Sequence, residues 1–321
     1  MVLIFACAGQ PTVSDTIGAS TTTPPPTVSP EVVVQTLQSD SKNISISTPS
    51  TSTESRSEAT LYPCSDQVCT FSGHFVFRSP IAAPGTQAYE PSYPYGGTQD
   101  GTREAHHGVE FINAPGTPVL AAGDGVVVVA GNDVNTLYGL MLFYYGNLVV
   151  IQHEIPGQSK PVFTLYAHLS RVDVQPGQKV IAGQQIGLVG RSGKAIGSHL
   201  HFEVRVGEND YAYTRNPLLW LSTDPGYGIL TGQIFDQAGR VRRYPEITIR
   251  SLDDLTMVPI HPRPYAESNV NGDDLYQEIF TSHPLPAGKY RLTFSPPKMD
   301  ETIDFEIYAN AVTRITLITD Y

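Results

Sequence analysis

The segment His199-Leu200-His201-Phe202-Glu203-Val204-Arg205 places two imidazoles two residues apart. Its alternation of polar and apolar residues predicts a strand, in which successive side chains point to opposite faces. His199, His201, Glu203 and Arg205 then share one face, and Leu200, Phe202 and Val204 share the other. An amphipathic strand with a solvated polar face has the same pattern, so the pair becomes informative only with partners. Upstream, His106-His107-Gly108-Val109-Glu110-Phe111 sets His106 and Glu110 four residues apart, an even separation that keeps both on one face of an extended chain. A third histidine, His168, follows the alternating run Val162-Phe163-Thr164-Leu165-Tyr166. Zinc takes imidazole nitrogen and carboxylate oxygen, and a catalytic zinc site keeps three protein ligands and one open position for water. His106, Glu110 and His201 can supply that set. His168 and His199 are left as neutral bases or hydrogen-bond donors beside the water.

These three segments, in this order, resemble the lysostaphin-type (LytM-type) zinc metallopeptidases, which cut peptide cross-links in bacterial cell walls. That family carries His-x-x-x-Asp, a Tyr-Ala-His-Leu-like segment and His-x-His. The stretch from Gly116 to Val127 is similar to the family's first core hairpin, and 174–190 to its glycine-punctuated strands. Gly193-Lys194-Ala195-Ile196-Gly197-Ser198-His199 is similar to the loop that enters His-x-His, and the likeness covers residues 100–222. It implies that His106, Glu110 and His201 hold zinc and that His168 and His199 are the catalytic histidines. In the implied mechanism, zinc polarises a scissile carbonyl and acidifies its water, while the histidine pair takes the proton and stabilises the oxyanion. Glu110 departs from the family, which has Asp there. One extra methylene moves the carboxylate by about 1.5 Å, and catalytic sites tolerate misplacement poorly. Three readings stay open: a working site on an adjusted backbone, a zinc site of poor activity, or a lapsed site. The four other family residues argue against the last.

The remaining histidines read as structural. His107 faces away from His106 in a regular strand, and only a bulge would make it the ligand instead. His153 ends a strand pattern, His74 lies ahead of the matched region, and His261 and His283 sit beside prolines in loops.

At 321 residues the chain has room for two domains. Its 28 Gly and 26 Pro suit a turn-rich, mainly β protein. A formal charge of −11 with no basic patch argues against nucleic acid as a partner. It also gives no long-range attraction to an anionic wall, so recognition there must be local. Cys64 and Cys69, five apart, read as a small disulfide loop or a soft metal pair. Met1-Val2-Leu3-Ile4-Phe5-Ala6-Cys7 resembles the tail of a lipoprotein signal, which implies a start further upstream and a membrane tether through a lipid on Cys7.

The predicted organisation is a possible signal remnant at 1–7, a disordered Ser/Thr/Pro linker over 8–60, a peptidase unit over 61–222 and an accessory β-sandwich over 229–321. The peptidase unit reads as an antiparallel sheet with a groove, its strands at 118–129, 147–153, 162–167, 170–175, 178–182, 185–190 and 199–205. The aromatic segment 133–146 reads either as a groove wall or as a loop packed on the sheet. In the third unit, Thr231-Gly232-Gln233-Ile234 and Leu285-Pro286-Ala287-Gly288-Lys289-Tyr290 resemble transthyretin-like or carboxypeptidase-regulatory-like domains. Asp253, Asp254, Asp273 and Asp274 read as solvated loop acids rather than a calcium site. The expected function is an extracytoplasmic zinc endopeptidase acting on peptidoglycan peptides. The alternative is a catalytically silent module that binds wall peptide or activates another hydrolase.

Overall fold

The computed structural model describes residues 62–243, 246–294 and 301–319. The chain divides into Met1–Glu58 and Ala59–Tyr321, and every described residue lies in the second unit. The expectations for 1–7 and 8–60 fall outside the described residues.

The protein is mainly β, with eighteen strands among the described residues. In chain order they are β1 (Val68–Ser72), β2 (Val109–Ile112), β3 (Pro118–Leu120), β4 (Gly125–Asn132), β5 (Asn147–His153) and β6 (Val162–Leu169). Next come β7 (Arg171–Val172), β8 (Lys179–Val180), β9 (Gln185–Leu188), β10 (His199–Val206), β11 (Thr214–Arg215) and β12 (Tyr227–Asp236). The last are β13 (Ile247–Ser251), β14 (Phe280–Thr281), β15 (Leu285–Pro286), β16 (Gly288–Phe294), β17 (Glu301–Ile307) and β18 (Ala311–Thr319).

A seven-stranded antiparallel sheet runs β11-β10-β6-β5-β4-β8, with β2 added to β10. Its middle strands are β-branched and aromatic runs that are buried on both faces, β6 and β10 along their whole length. On one face Val109, Phe111, Val162, Tyr166, Leu200, Phe202 and Val204 join the main core. On the other, Phe163, Leu165 and Ala167 pack under Tyr145 and Leu148. The second core exists because the segment 133–146 folds back over the sheet. Asp133 anchors it, its carboxylate accepting from the amides of Tyr145 and Gly146 at 2.7 and 2.9 Å. The segment combines both expected roles: Tyr145 packs on the sheet, and Tyr144 lines a cleft.

Over the C-terminal third, a sheet β1-β18-β12-β14 faces a second sheet β13-β16-β17, and both contribute to one core of Leu230, Ile249, Leu292, Phe305 and Ile315. Strand β1, early in the chain, pairs antiparallel with β18, while β12 and β18 run parallel. Cys64 and Cys69 form a disulfide, with Cys69 inside β1 opposite Arg314. Asp273 corrects an expectation. It is not a solvated loop acid but 2% exposed, its carboxylate 3.0 Å from His74 Nε2 and accepting from Trp220 Nε1 at 3.1 Å. It clasps the C-terminal third to the loop that closes the larger sheet.

Candidate metal centre

Strand β10 places its residues on the faces that alternation predicts. Glu110 on β2 stands directly opposite His201, and Ala167 on β6 flanks it on the other side. His201, Glu203 and Arg205 therefore share the face that carries Ala167, Leu165 and Phe163. That face is not solvated. Glu203 and Arg205 are both fully buried, which rules out the amphipathic-strand reading of the segment.

His106 reaches the same place by another route. It precedes β2, so strand alternation does not position it. Its backbone is held by a reciprocal pair of bonds, Gly96 N–H to His106 O at 2.7 Å and His106 N–H to Gly97 O at 2.9 Å. Gly96 O in turn accepts from Ala266 N at 2.9 Å, and Tyr95, Ala105, Tyr265 and Val270 form a small core beneath. A loop of the C-terminal third thus braces the loop that carries His106.

His168 arrives through a bulge. Pairing with β5 slips between Tyr166, opposite Val149, and Leu169, opposite Asn147. The slip inserts one residue, and His168 takes φ +61, a left-handed conformation uncommon outside glycine. Regular alternation would send His168 to the face of Tyr166, into the main core. The bulge turns it toward His201 and His199, with ring centroids 5.7 and 4.8 Å away.

One ligand atom each from His106, Glu110 and His201 lies within 4.8 Å of the others. Glu110 Oε1 is 3.7 Å from His106 Nε2 and 3.5 Å from His199 Nε2, so the longer side chain does reach the cluster. Hydrogen bonds set the tautomers. His106 Nδ1 lies 2.7 Å from the Tyr93 carbonyl, which can only accept, so Nδ1 carries the proton and Nε2 is bare. His201 Nε2 donates to Glu203 Oε1 at 3.0 Å, so in the neutral ring Nδ1 is bare. Burial opposes ionisation of Glu203, but Arg205, His201 and Tyr145 outweigh it and bring its pKa down to about 2. Burial, and then the nearby His201, hold the His106 pKa well below that of a free imidazole. With both rings neutral, two nitrogen lone pairs face each other at 3.2 Å, with a carboxylate oxygen beside them. Such a donor set repels itself unless a cation sits among it, and it fits a divalent metal that accepts nitrogen and oxygen.

His168 and His199 complete the wall. His168 donates from Nδ1 to Ser192 O at 2.8 Å, leaving Nε2 as an acceptor. Burial, then His201 and His199, depress its pKa to about 3. His199 is 3% exposed, its Nδ1 faces Gly197 O at 3.3 Å, and its Nε2 has no hydrogen-bond partner among the described residues. Its pKa is also lowered, chiefly by burial. All five histidine and glutamate residues border one cleft of about 380 Å³.

The other histidines stay outside it. His107 bonds Thr214 Oγ1 at 2.7 Å and stacks on Tyr211, so no bulge exchanges it with His106. His153 is buried between Asp124 O and Thr164 Oγ1, each at 2.7 Å. His74 stacks on Trp220, His261 bonds Thr248 and His283 bonds Pro284 O. Sequence reasoning missed Glu203 as the orienting partner of His201. The signal was present, a carboxylate two residues on and on the same strand face.

The family model of Peptidase family M23 matches residues 104–213, a segment that contains all five cleft residues. Peptidoglycan DD-endopeptidase ShyA of Vibrio cholerae serotype O1 is 45% identical over 101 residues, 32% of this chain and 20% of that protein. DD-carboxypeptidase/endopeptidase Mpg of Neisseria meningitidis serogroup B is 38% identical over 105 residues, 33% of this chain and 21% of that protein. Among solved structures, the catalytic domain of the antimicrobial peptidase lysostaphin from Staphylococcus simulans is 32% identical with a TM-score of 0.33, covering 40% of this chain and 89% of that one. The chain spans about a fifth of the length of these curated relatives.

Proposed function

We propose that the peptidase M23 domain carried by this chain is a zinc endopeptidase that hydrolyses peptide cross-links of peptidoglycan, outside the cytoplasm. The facing lone pairs of His106 Nε2 and His201 Nδ1, with Glu110 beside them, carry the reading. The names of the similar proteins supply the substrate class.

His106, Glu110 and His201 would hold the metal, a set of two nitrogens and one oxygen that leaves a position open. Zinc there supplies Lewis acidity toward a carbonyl and a water of lowered pKa. Neutral His168 and His199 each present a bare Nε2 to the cleft and can take the proton of the attacking water. Once protonated, that Nε2–H is the donor facing the negative charge that develops on the carbonyl oxygen. Glu203, held by Arg205 at 2.7 Å and by the Tyr145 hydroxyl, keeps His201 in the tautomer that offers Nδ1.

The test is zinc stoichiometry and digestion of purified sacculi by residues 61–321, beside His201→Ala and His199→Ala. The expected result is one zinc per chain and release of cross-linked peptides. His201→Ala loses both, and His199→Ala keeps zinc but not turnover. Failure of the unaltered protein to take up zinc after reconstitution would overturn the reading in favour of a silent binding module.

A further inference from the structure

We propose that Arg103 reads a free carboxylate on the peptide that enters the cleft, and so sets which cross-links are accepted. The inference rests on the peptidase reading and names a chemical feature of its substrate.

The cleft is lined by two cations besides its histidines, Arg103 and Lys194. Lys194 is committed, its Nζ 2.5 Å from Glu104 Oε1. Arg103 is not: its guanidinium makes no hydrogen bond or ion pair among the described residues. It lies instead over the Tyr93 ring, 4.5 Å from the centroid. His106 also stacks on that ring, at 4.1 Å with the planes 6° apart, and two groups so close to one ring centre leave room for each other only on opposite faces. Guanidinium, phenol and imidazole thus form one stack beginning at a proposed metal ligand.

Cation–π contact holds a guanidinium in place without using its N–H groups. All five donors remain free at the cleft, in the planar fork that matches a carboxylate with two parallel hydrogen bonds. Two stacking intervals from the His106 ring correspond to roughly two or three residues of extended peptide at about 3.3 Å each. The carboxylate read by Arg103 therefore lies two or three residues from the bond that is cut. A local cation is also what a chain of net charge −11 needs to accept an acidic peptide, since its long-range field is repulsive.

The test uses two synthetic cross-linked wall peptides, identical except that the carboxylate two or three residues from the scissile bond is free in one and amidated in the other. Binding to the zinc-reconstituted chain is read by fluorescence anisotropy, and cleavage is read separately. The unaltered protein is expected to favour the free acid by about ten- to a hundredfold. Arg103→Met and Arg103→Ala should bind acid and amide alike at unchanged zinc stoichiometry, and Arg103→Lys should keep part of the preference. The readout is the ratio, so a general loss of affinity does not imitate it. Equal binding of both peptides by the unaltered protein, or a preference that survives in Arg103→Ala, would overturn the proposal. Cleavage without preference fails this inference alone. Preference that follows Arg103 without zinc uptake or cleavage fails the peptidase reading and leaves this one standing.

Discussion

His106 Nε2 and His201 Nδ1 face each other at 3.2 Å, and with both rings neutral neither has a proton to offer the other. Each ring has spent its N–H on the far side, one on the Tyr93 carbonyl and one on Glu203. The strain is electrostatic and local, and a cation relieves it. Zinc should therefore stabilise the fold. At a hundredfold excess over its dissociation constant, mass action adds about 2.7 kcal/mol. That corresponds to a rise of about 5–10 °C in the unfolding midpoint for a unit of this size. Differential scanning calorimetry with and without a chelator measures it, and coincident midpoints would refute the metal assignment.

Glu203 does two things at once, orienting His201 and neutralising the buried Arg205. Glu203→Gln removes the charge but keeps the shape. Zinc affinity should fall about 10- to 100-fold because the tautomer is no longer enforced. Stability should drop by about 3–5 kcal/mol because Arg205 is left buried without its partner. A competing chromophoric chelator reads the first effect and urea unfolding the second.

Gly108 lies against β10 with no room for a side chain. A Cβ there would come 2.5 Å from Phe202 O and 2.8 Å from His201 Cε1 and Nε2. Gly108→Ala must displace the strand or turn the His201 ring away from Glu203. Overpacking costs about 1–3 kcal/mol, and zinc affinity should fall by at least about tenfold, as when an outer-shell partner is lost. An alanine variant with unaltered zinc affinity would show that the ring has slack.

Glu278 is buried outside the cleft lining, bonded to the Tyr265 hydroxyl and the Asp273 amide. Burial, and then the neighbouring Asp273, push its pKa up to about 8. A carboxyl raised in the folded state holds its proton there after the unfolded chain has lost it. Its contribution to stability thus falls as pH rises from about 4.5 to 8 and is level outside that window, a change on the order of a few kcal/mol. Buried His153, lowered to about 4 mainly by desolvation, gives the opposite slope between 4 and 6.5. The clean observable is the difference between wild type and Glu278→Gln in urea unfolding. The variant should gain relative stability steadily from pH 4.5 to 8, and a flat difference would mean Glu278 is ionised throughout.

Residue pattern alone determined a good part of this protein. Period-two alternation put His199, His201, Glu203 and Arg205 on one strand face, and the β-branched runs between turns marked the central strands. Those are local properties, since an extended backbone imposes its period on whatever residues it carries. Three things depended on tertiary contacts. His106 joins the cluster because Gly96, Gly97 and Ala266 hold its loop, not because it lies four residues before Glu110 on a strand. His168 faces the cleft only because the β5–β6 pairing slips by one residue, and alternation would have buried it beside Tyr166. The polar face of β10 is dry because the segment 133–146 folds over it, which turns Glu203 from a solvated acid into the partner that fixes a tautomer. Which loop covers a face, where a ladder slips and which lone pair is left bare are set by residues distant in the chain, and no local periodicity encodes them.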